Sequence, residues 1–462
     1  MSEKESANGA IASQSVECMR LREFKNFLRE LVRERVNNAT NAGETTRACI
    51  SRNSNETYPV YSQEVSAEII MTVWNHLQLK RCPRYFQISI LRVVVAEVEQ
   101  GFSNAKECEF TVKGSKDSNI SGDNEMVYDL VKLQKYVVNN LEKLLTRLSD
   151  NSEVANIPNY ADSGDLCLDG TKCNCNTDAS TVAYTTGHIK NKPRKMEDRH
   201  TCLERFSELY QLKPTYSFYG VFDGHSGPLA ASYAASQLPY LLSESLRSIS
   251  NDLDDVTAYR EAFEHTFLQT DKMFSQKGIS SGTTAVCVLL AQRTPPSYGH
   301  LYVAWVGDSK ALLVSPTVSL QLVKSHKPDA PDERKRIEMA EGGGTVMYVQ
   351  GQWRVNGILN VSRSIGDYSV TPAIAEPDFV DVSLTAAHDF IVLGTDGLFD
   401  HVPENTIVDT IYKQLADNEQ KIENIPKKLI ELAKDGDSQD NITVVIVFLK
   451  NRLDIVENFQ KY

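Results

Sequence analysis

The sequence predicts an α+β protein, an antiparallel sheet or sandwich with helices packed outside it, preceded by a separate α-helical domain. Three observations carry that expectation. Up to about residue 154, apolar residues recur every three or four positions, the spacing of one helix face. From Ala155 to Asp178 the periodicity lapses, and Pro158, Gly164, Gly170 and several Asp and Asn mark a linker. After Ala179, short apolar runs follow one another across short turns, without the regular alternation of a parallel βαβ fold.

In chain order, residues 1–15 are polar and read as a disordered leader, and residues 16–154 form the helical domain. Its first helix carries Leu21, Phe24, Phe27, Leu28, Leu31 and Val32 on one face. Further helices are expected over Gln63–Leu79, Arg84–Glu99 and from about Glu125 to Leu148. In the last, Leu130, Val137 and Leu144 stand seven apart, too few heptads for a coiled coil, so its apolar face belongs to an ordinary helical core. The linker spans 155–178, and a sheet-and-helix domain spans 179–449 with a C-terminal tail at 450–462. Strands are expected at Ser217–Phe222, Thr283–Leu290, Leu301–Val306, Ala311–Val314, Phe390–Leu393 and Ile442–Phe448. Helices are expected at Pro228–Leu246, Val256–Gln276, Asp332–Glu341, Glu404–Leu415 and Asn424–Ala433, the last capped by Asn424 with Pro426 in its first turn.

The 462 residues carry 49 Lys and Arg against 61 Asp and Glu, a net charge of −12. That balance argues against a general nucleic-acid binder, which works through cationic contacts to phosphate. Met1–Ser15 lacks the apolar core of a secretory signal, and the most apolar stretch, Ile88–Val98, is broken by Arg92 and Glu97 and too short to span a bilayer. No membrane association is expected. Nine cysteines at irregular spacing point to reduced thiols and a cytoplasmic or nuclear protein. Cys167, Cys173 and Cys175 lack the paired spacing of a zinc site.

The chemistry lies in where aspartates stand. Phe218–Phe222 runs directly into Asp223-Gly224-His225, and Phe390–Leu393 into Gly394-Thr395-Asp396-Gly397 with Asp400 just beyond. Leu301–Val306 runs into Gly307-Asp308-Ser309, while Asp440-Asn441 immediately precedes Ile442–Val447. Antiparallel pairing brings the end of one strand beside the start of the next, so Asp223, Asp308, Asp396 and Asp440 can gather at one edge. Crowded carboxylates repel unless protonated or neutralised, and all-oxygen ligand sets suit hard cations such as magnesium and manganese. A single Asp-Gly after a strand is usually only a turn. Taken alone, this repeated pattern indicates a divalent metal site and no specific reaction.

A longer set of motifs is more specific. Met196-Glu197-Asp198, Val221-Phe222-Asp223-Gly224-His225-Ser226-Gly227, Ser281-Gly282-Thr283-Thr284-Ala285, Val306-Gly307-Asp308-Ser309, Val355-Asn356-Gly357, Ser362-Arg363-Ser364-Ile365-Gly366-Asp367, Thr395-Asp396-Gly397-Leu398-Phe399-Asp400 and Asp440-Asn441-Ile442-Thr443-Val444 resemble, in order, the motifs of the protein phosphatase 2C family. The resemblance covers roughly residues 180–449. It implies a central sandwich of two antiparallel sheets flanked by helices, and a protein serine/threonine phosphatase in which a two-metal-activated water attacks phosphorus in line. It further implies that Asp223 bridges two Mg2+ or Mn2+ ions, that the Gly224 carbonyl completes one site, and that Asp396 and Asp440 hold the other. Asp308, helped by Asp400, resembles the ligands of a weaker third ion. Glu197 and Asp198 would act through water, and His225 would be the general acid.

One position departs from the family pattern. The arginine that usually grips substrate phosphate stands three residues before the methionine of Met196-Glu197-Asp198, where this chain has Pro193, with Arg194 next to it. Arg194 is the candidate for that contact, with Lys190, Lys192 and Lys195 as alternatives. The helical N-terminal region and Arg194-Lys195-Met196-Glu197-Asp198-Arg199-His200 are most similar to the subgroup of phosphatases acting on p21-activated kinases and the nematode feminization phosphatase. That resemblance implies signalling by dephosphorylation of phosphoprotein substrates, in a kinase pathway or in sex determination. Partner proteins, other feminization proteins among them, would dock on the N-terminal domain. Two other readings of the phosphatase-like region compete. Cys287 and Arg293 have the spacing of a cysteine-dependent phosphatase but lack the intervening glycines that wrap phosphate. A catalytically inactive scaffold that binds partners would keep the fold, yet Asp223, Asp396 and Asp440 are all present.

Overall fold

In a computed structural model of the chain, the described residues are 22–31, 33, 57–102, 108–109, 126–150, 183–249, 252–292, 299–417 and 419–461. The expected leader, the stretch 155–178 with Cys167, Cys173 and Cys175, and Arg293 lie outside them. The chain divides into two compact units, Met1–Asp178 and Ala179–Tyr462.

The first unit is helical. Residues 22–31 form a helix whose Phe24, Phe27, Leu28 and Leu31 are buried, and the Phe24 ring stacks on Phe86 at 4.1 Å. Helices α1 (Val65–Leu79), α2 (Arg84–Phe102) and α3 (Leu130–Asp150) pack together. Leu130, Val137 and Leu144 are buried along with Leu133, Leu141, Leu145 and Leu148, an apolar stripe broader than a coiled-coil seam. The start expected near Glu125 is corrected. Val127–Asp129 forms a strand with Pro59–Tyr61, and Asp129 Oδ1 accepts from the Lys132 amide (2.9 Å), so the helix begins at Leu130.

The second unit is built on two five-stranded antiparallel sheets. The strands of these two sheets are β1 (Ala183–Ile189), β2 (Arg199–Leu203), β3 (Tyr216–Phe222), β4 (Ala285–Ala291), β5 (His300–Val306), β6 (Lys310–Val314), β7 (Ser319–Gln321), β8 (Asp378–Ser383), β9 (Phe390–Gly394) and β10 (Ile442–Phe448). One sheet has the order β7-β6-β9-β10-β1, the other β8-β5-β4-β3-β2. Alternate residues point to opposite faces of a strand. Val221, Val286, Val288, Val303 and Trp305 of one sheet share a core with Leu313, Ile391, Leu393, Val445 and Val447 of the other. The intervening Leu312, Val392, Val444 and Ile446 face outward under helices α6 (Glu404–Ala416), α7 (Ile425–Asp435) and α8 (Arg452–Gln460). The second sheet is covered by α4 (Leu229–Ser248) and α5 (Val256–Ser275), where Tyr259 stacks on Tyr302 at 4.0 Å. The central strands are thus buried on both faces, which explains their unbroken apolar runs. Each buried Val, Leu or Ile contributes about 1.5–3 kcal/mol.

Two boundaries differ from expectation for local reasons. Asn424 makes no side-chain cap and instead closes a 3₁₀ turn, Ile422–Asn424, that leads straight into α7. The segment 450–462, expected as a tail, carries α8, in which Ile455 is buried and Phe459 stacks on Tyr412 at 4.2 Å.

Candidate active site

Strand register gathers the site. Arg199 pairs with Phe222, so Asp198 and Asp223 extend side by side from β2 and β3. Gly394 pairs with both Lys310 and Val444, which brings Asp396, the turn holding Asp308, and Asp440 to the same end of the other sheet. Asp223 is fixed by its backbone, since the Thr284 amide and the Thr283 hydroxyl both donate to its carbonyl (2.9 and 3.0 Å). Gly224 has no room for a side chain: a Cβ there would lie 2.5 Å from the Glu197 carbonyl oxygen.

The loop carrying Glu197 and Asp198 is clamped by a residue whose role the motif spacing does not reveal. Asn441 Oδ1 accepts from the Glu197 amide (2.6 Å), and its Nδ2 donates to the carbonyls of Lys190 (2.7 Å) and Lys195 (3.1 Å). The Thr443 and Thr395 hydroxyls donate to Asp198 Oδ2 (2.7 and 3.2 Å), while Asp198 Oδ1 is buried with no hydrogen-bond donor. His225 Nε2–H donates to Asp367 Oδ2 (2.6 Å), which also accepts from the Ser364 hydroxyl (2.6 Å). Asp367 has left-handed backbone (φ 57°), and its carboxylate sits against Gly282, where a Cβ would come within 2.0 Å. The His225–Asp367 pair comes together because Gly282–Thr283 pairs with both Gly224–His225 and Ile365–Gly366.

The carboxylates disturb one another. Burial and then the charges of Asp198, Asp396, Asp308 and Asp440 push Asp223 well above the usual carboxylate range. Burial, Asp308, Asp440 and Asp400 raise Asp396 to about 8, and burial, with Asp440 adding to it, raises Asp198 to about 6. Lys327, 19 residues beyond Asp308, donates its ammonium to Asp308 Oδ2. Asp400 is more exposed and lies 3.8 Å from the Lys310 ammonium. Arg194 is exposed and makes no hydrogen bond or ion pair among the described residues. Cys287 is buried within β4, and burial pushes its thiol well up, so it has no nucleophilic character.

Among the described residues, no three His, Cys, Asp or Glu side chains stand closely enough to form a finished metal site. The donor set nonetheless fits a hard divalent cation. It is all oxygen, burial and neighbouring carboxylates raise Asp223 and Asp396, and Asp198 Oδ1 is a buried acceptor that no hydroxyl or amide reaches. Two outcomes are expected. In chelator, the melting temperature should fall as pH rises from about 5 to about 8. Asp198, Asp223 and Asp396 have folded pKa values above their unfolded ones, so their contribution is complete at low pH and is lost through the folded values. Added Mg2+ should flatten that slope in a thermal melt. Lys327→Met should cost about 1–3 kcal/mol in chelator, below the full buried-pair penalty because the lysine is partly in water, and Mg2+ should restore most of it.

Comparison with known proteins follows the same region. The family described as "Protein phosphatase 2C" matches residues 182–442. Rat "Protein phosphatase 1F" is 38% identical over 283 residues, covering 58% of this chain and 58% of that protein. Mouse "Protein phosphatase 1E" is 38% identical over 270 residues, covering 57% of this chain and 34% of that protein. The chain therefore spans less than two thirds of the length of these relatives. A solved structure described as "Structure of a C.elegans sex determining protein" superposes with a TM-score of 0.69 at 19% identity. It covers 94% of this chain and 97% of that one, a likeness of fold.

Proposed function

The chain belongs to the protein phosphatase 2C family, and from that premise we propose that it hydrolyses phosphoserine and phosphothreonine in other proteins with the help of Mg2+ or Mn2+. The observation that carries this reading is the group of carboxylates that strand register gathers at one end, where burial and the neighbouring charges hold Asp223 and Asp396 above the usual carboxylate range. Asp223 with the Gly224 carbonyl would hold one cation, and Asp396 with Asp440 a second. Asp308 with Asp400 would hold a weaker third, where Lys327 competes. When bound, such cations neutralise phosphoryl oxygens and make water a stronger acid.

The chain's own residues supply the rest. Asp198 has one oxygen committed to two threonine hydroxyls, so its bare Oδ1 is the acceptor for a proton of the attacking water. Glu197, half-buried beside it, acts in the same water shell. The departing serine or threonine oxygen is a strong base and needs a proton. His225 gives that proton from Nδ1, since Nε2 is committed to Asp367. Arg194 offers its guanidinium to the phosphate. We further propose that the N-terminal unit docks signalling partners in the cytoplasm or nucleus, and that the setting is sex determination or kinase dephosphorylation. The structural neighbour's description supports the former setting.

The test is hydrolysis of a phosphothreonine peptide by the full chain, stripped with chelator and then given Mg2+ or Mn2+. Activity should vanish and return. Full activity in chelator would overturn the role of the cations, and a folded but inert protein under every cation would favour a scaffold.

A further inference from the structure

Residues 190–195 read Lys-Asn-Lys-Pro-Arg-Lys, a run of cations in a chain whose net charge is −12. A charge run is usually just a solvated face. This one is fixed in place. The Lys190 and Lys195 carbonyls are both held by Asn441 Nδ2, and Asn191 Nδ2 donates to the Ser438 carbonyl (2.6 Å). Asn191 takes left-handed backbone (φ 52°), Pro193 fixes its own φ, and the Lys190 ammonium folds back on the Pro193 carbonyl. The loop is therefore an arch pinned to the segment that carries Asp440, and it runs directly into Glu197 and Asp198. Lys190, Lys192, Arg194 and Lys195 are all exposed. Lys192 and Arg194 make no hydrogen bond or ion pair among the described residues.

Cations held beside a centre suited to divalent ions repel those ions. Their position is favourable only when an anion lies between. One substrate phosphate occupies at most one guanidinium fork, so the remaining cations are surplus to the phosphate itself. We infer that the arch selects substrates carrying acidic side chains beside the phosphorylated residue, with Lys192 as a specificity-determining residue. This rests on the phosphatase reading above and names its substrate class: acidic phosphopeptides.

The experiment compares kcat/KM for two phosphothreonine peptides, one with Asp or Glu on both sides of the phosphothreonine and one with Ala and Gln, using the full chain with Mn2+. Each exposed ion pair changes binding by up to about fivefold, so a preference of about tenfold for the acidic peptide is expected. It should shrink as salt rises from about 0.05 M to about 0.5 M, where screening is short-ranged. Lys192→Gln should reduce the ratio about threefold and Lys192→Glu should bring it near one. A ratio within one protein cancels any change in turnover, so a weakened variant still reports. Equal rates on the two peptides in the unmodified chain at low salt, or a ratio that survives Lys192→Glu, would overturn the inference. Hydrolysis of p-nitrophenyl phosphate by the unmodified chain separates the two levels. Its absence would refute the phosphatase reading and this inference with it.

Discussion

Asp223→Asn is expected to lower kcat/KM on a phosphothreonine peptide by about 10³-fold, the upper range for losing one group that stabilises transition-state charge. The substitution keeps the shape of the side chain and leaves the backbone anchors from Thr283 and Thr284 in place. It also removes one carboxylate from a cluster in which Asp198, Asp396, Asp308 and Asp440 all oppose its ionisation. The variant should therefore melt at a higher temperature than the parent in chelator at pH about 8. Opposite movement of activity and stability separates loss of cation binding from loss of fold, as expected for a site that stores repulsion for function. A variant with near-parental rates would refute Asp223 as a cation ligand.

His225→Asn has the second largest expected effect, about 10²–10³-fold in kcat on phosphothreonine, the usual worth of a positioned acid. On p-nitrophenyl phosphate the loss should be slight, because nitrophenolate leaves without a proton. Asp367→Asn should follow the same pattern with a smaller loss, because the Asp367 carboxylate accepts from His225 Nε2 and the Ser364 hydroxyl and acts by positioning the ring. Equal losses on both substrates would contradict proton donation and point to damage of the neighbouring Asp223–Gly224 turn.

What could be read from the sequence divides along the physics of burial. The interior strands β3, β4, β5, β6, β9 and β10 were legible because both their faces are buried and their apolar runs are unbroken. The strands the sequence does not announce, β1, β2, β7 and β8, are the edges of the two sheets. There Ala183–Ile189 and Asp378–Ser383 mix polar with apolar residues, because an edge strand meets solvent. The aspartates were legible because strand ends have a place in register. Lys327, Asn441 and Asp367 were present as letters, but their roles depend on contacts set by the fold. Asn441 reaches back across 244 residues to Glu197, and Asp367 across 142 to His225. Helix α8 has no legible apolar face because Ile455 alone in it is buried, and its hold on the unit is largely polar. Arg452 donates to the carbonyls of Leu415 (2.7 Å) and Gln420 (2.9 Å), and Asn458 to Asp389 (3.1 Å).

The central claim is that the carboxylates at the strand ends form a site for divalent cations. Calorimetric titration of the chelator-stripped full chain with Mn2+ measures this without any substrate. The parent is expected to bind two ions per chain, with a weaker third event strengthened in Lys327→Met, and Asp223→Asn should lose the tight binding. Identical isotherms for the parent and Asp223→Asn, or no heat of binding in the parent, would contradict it.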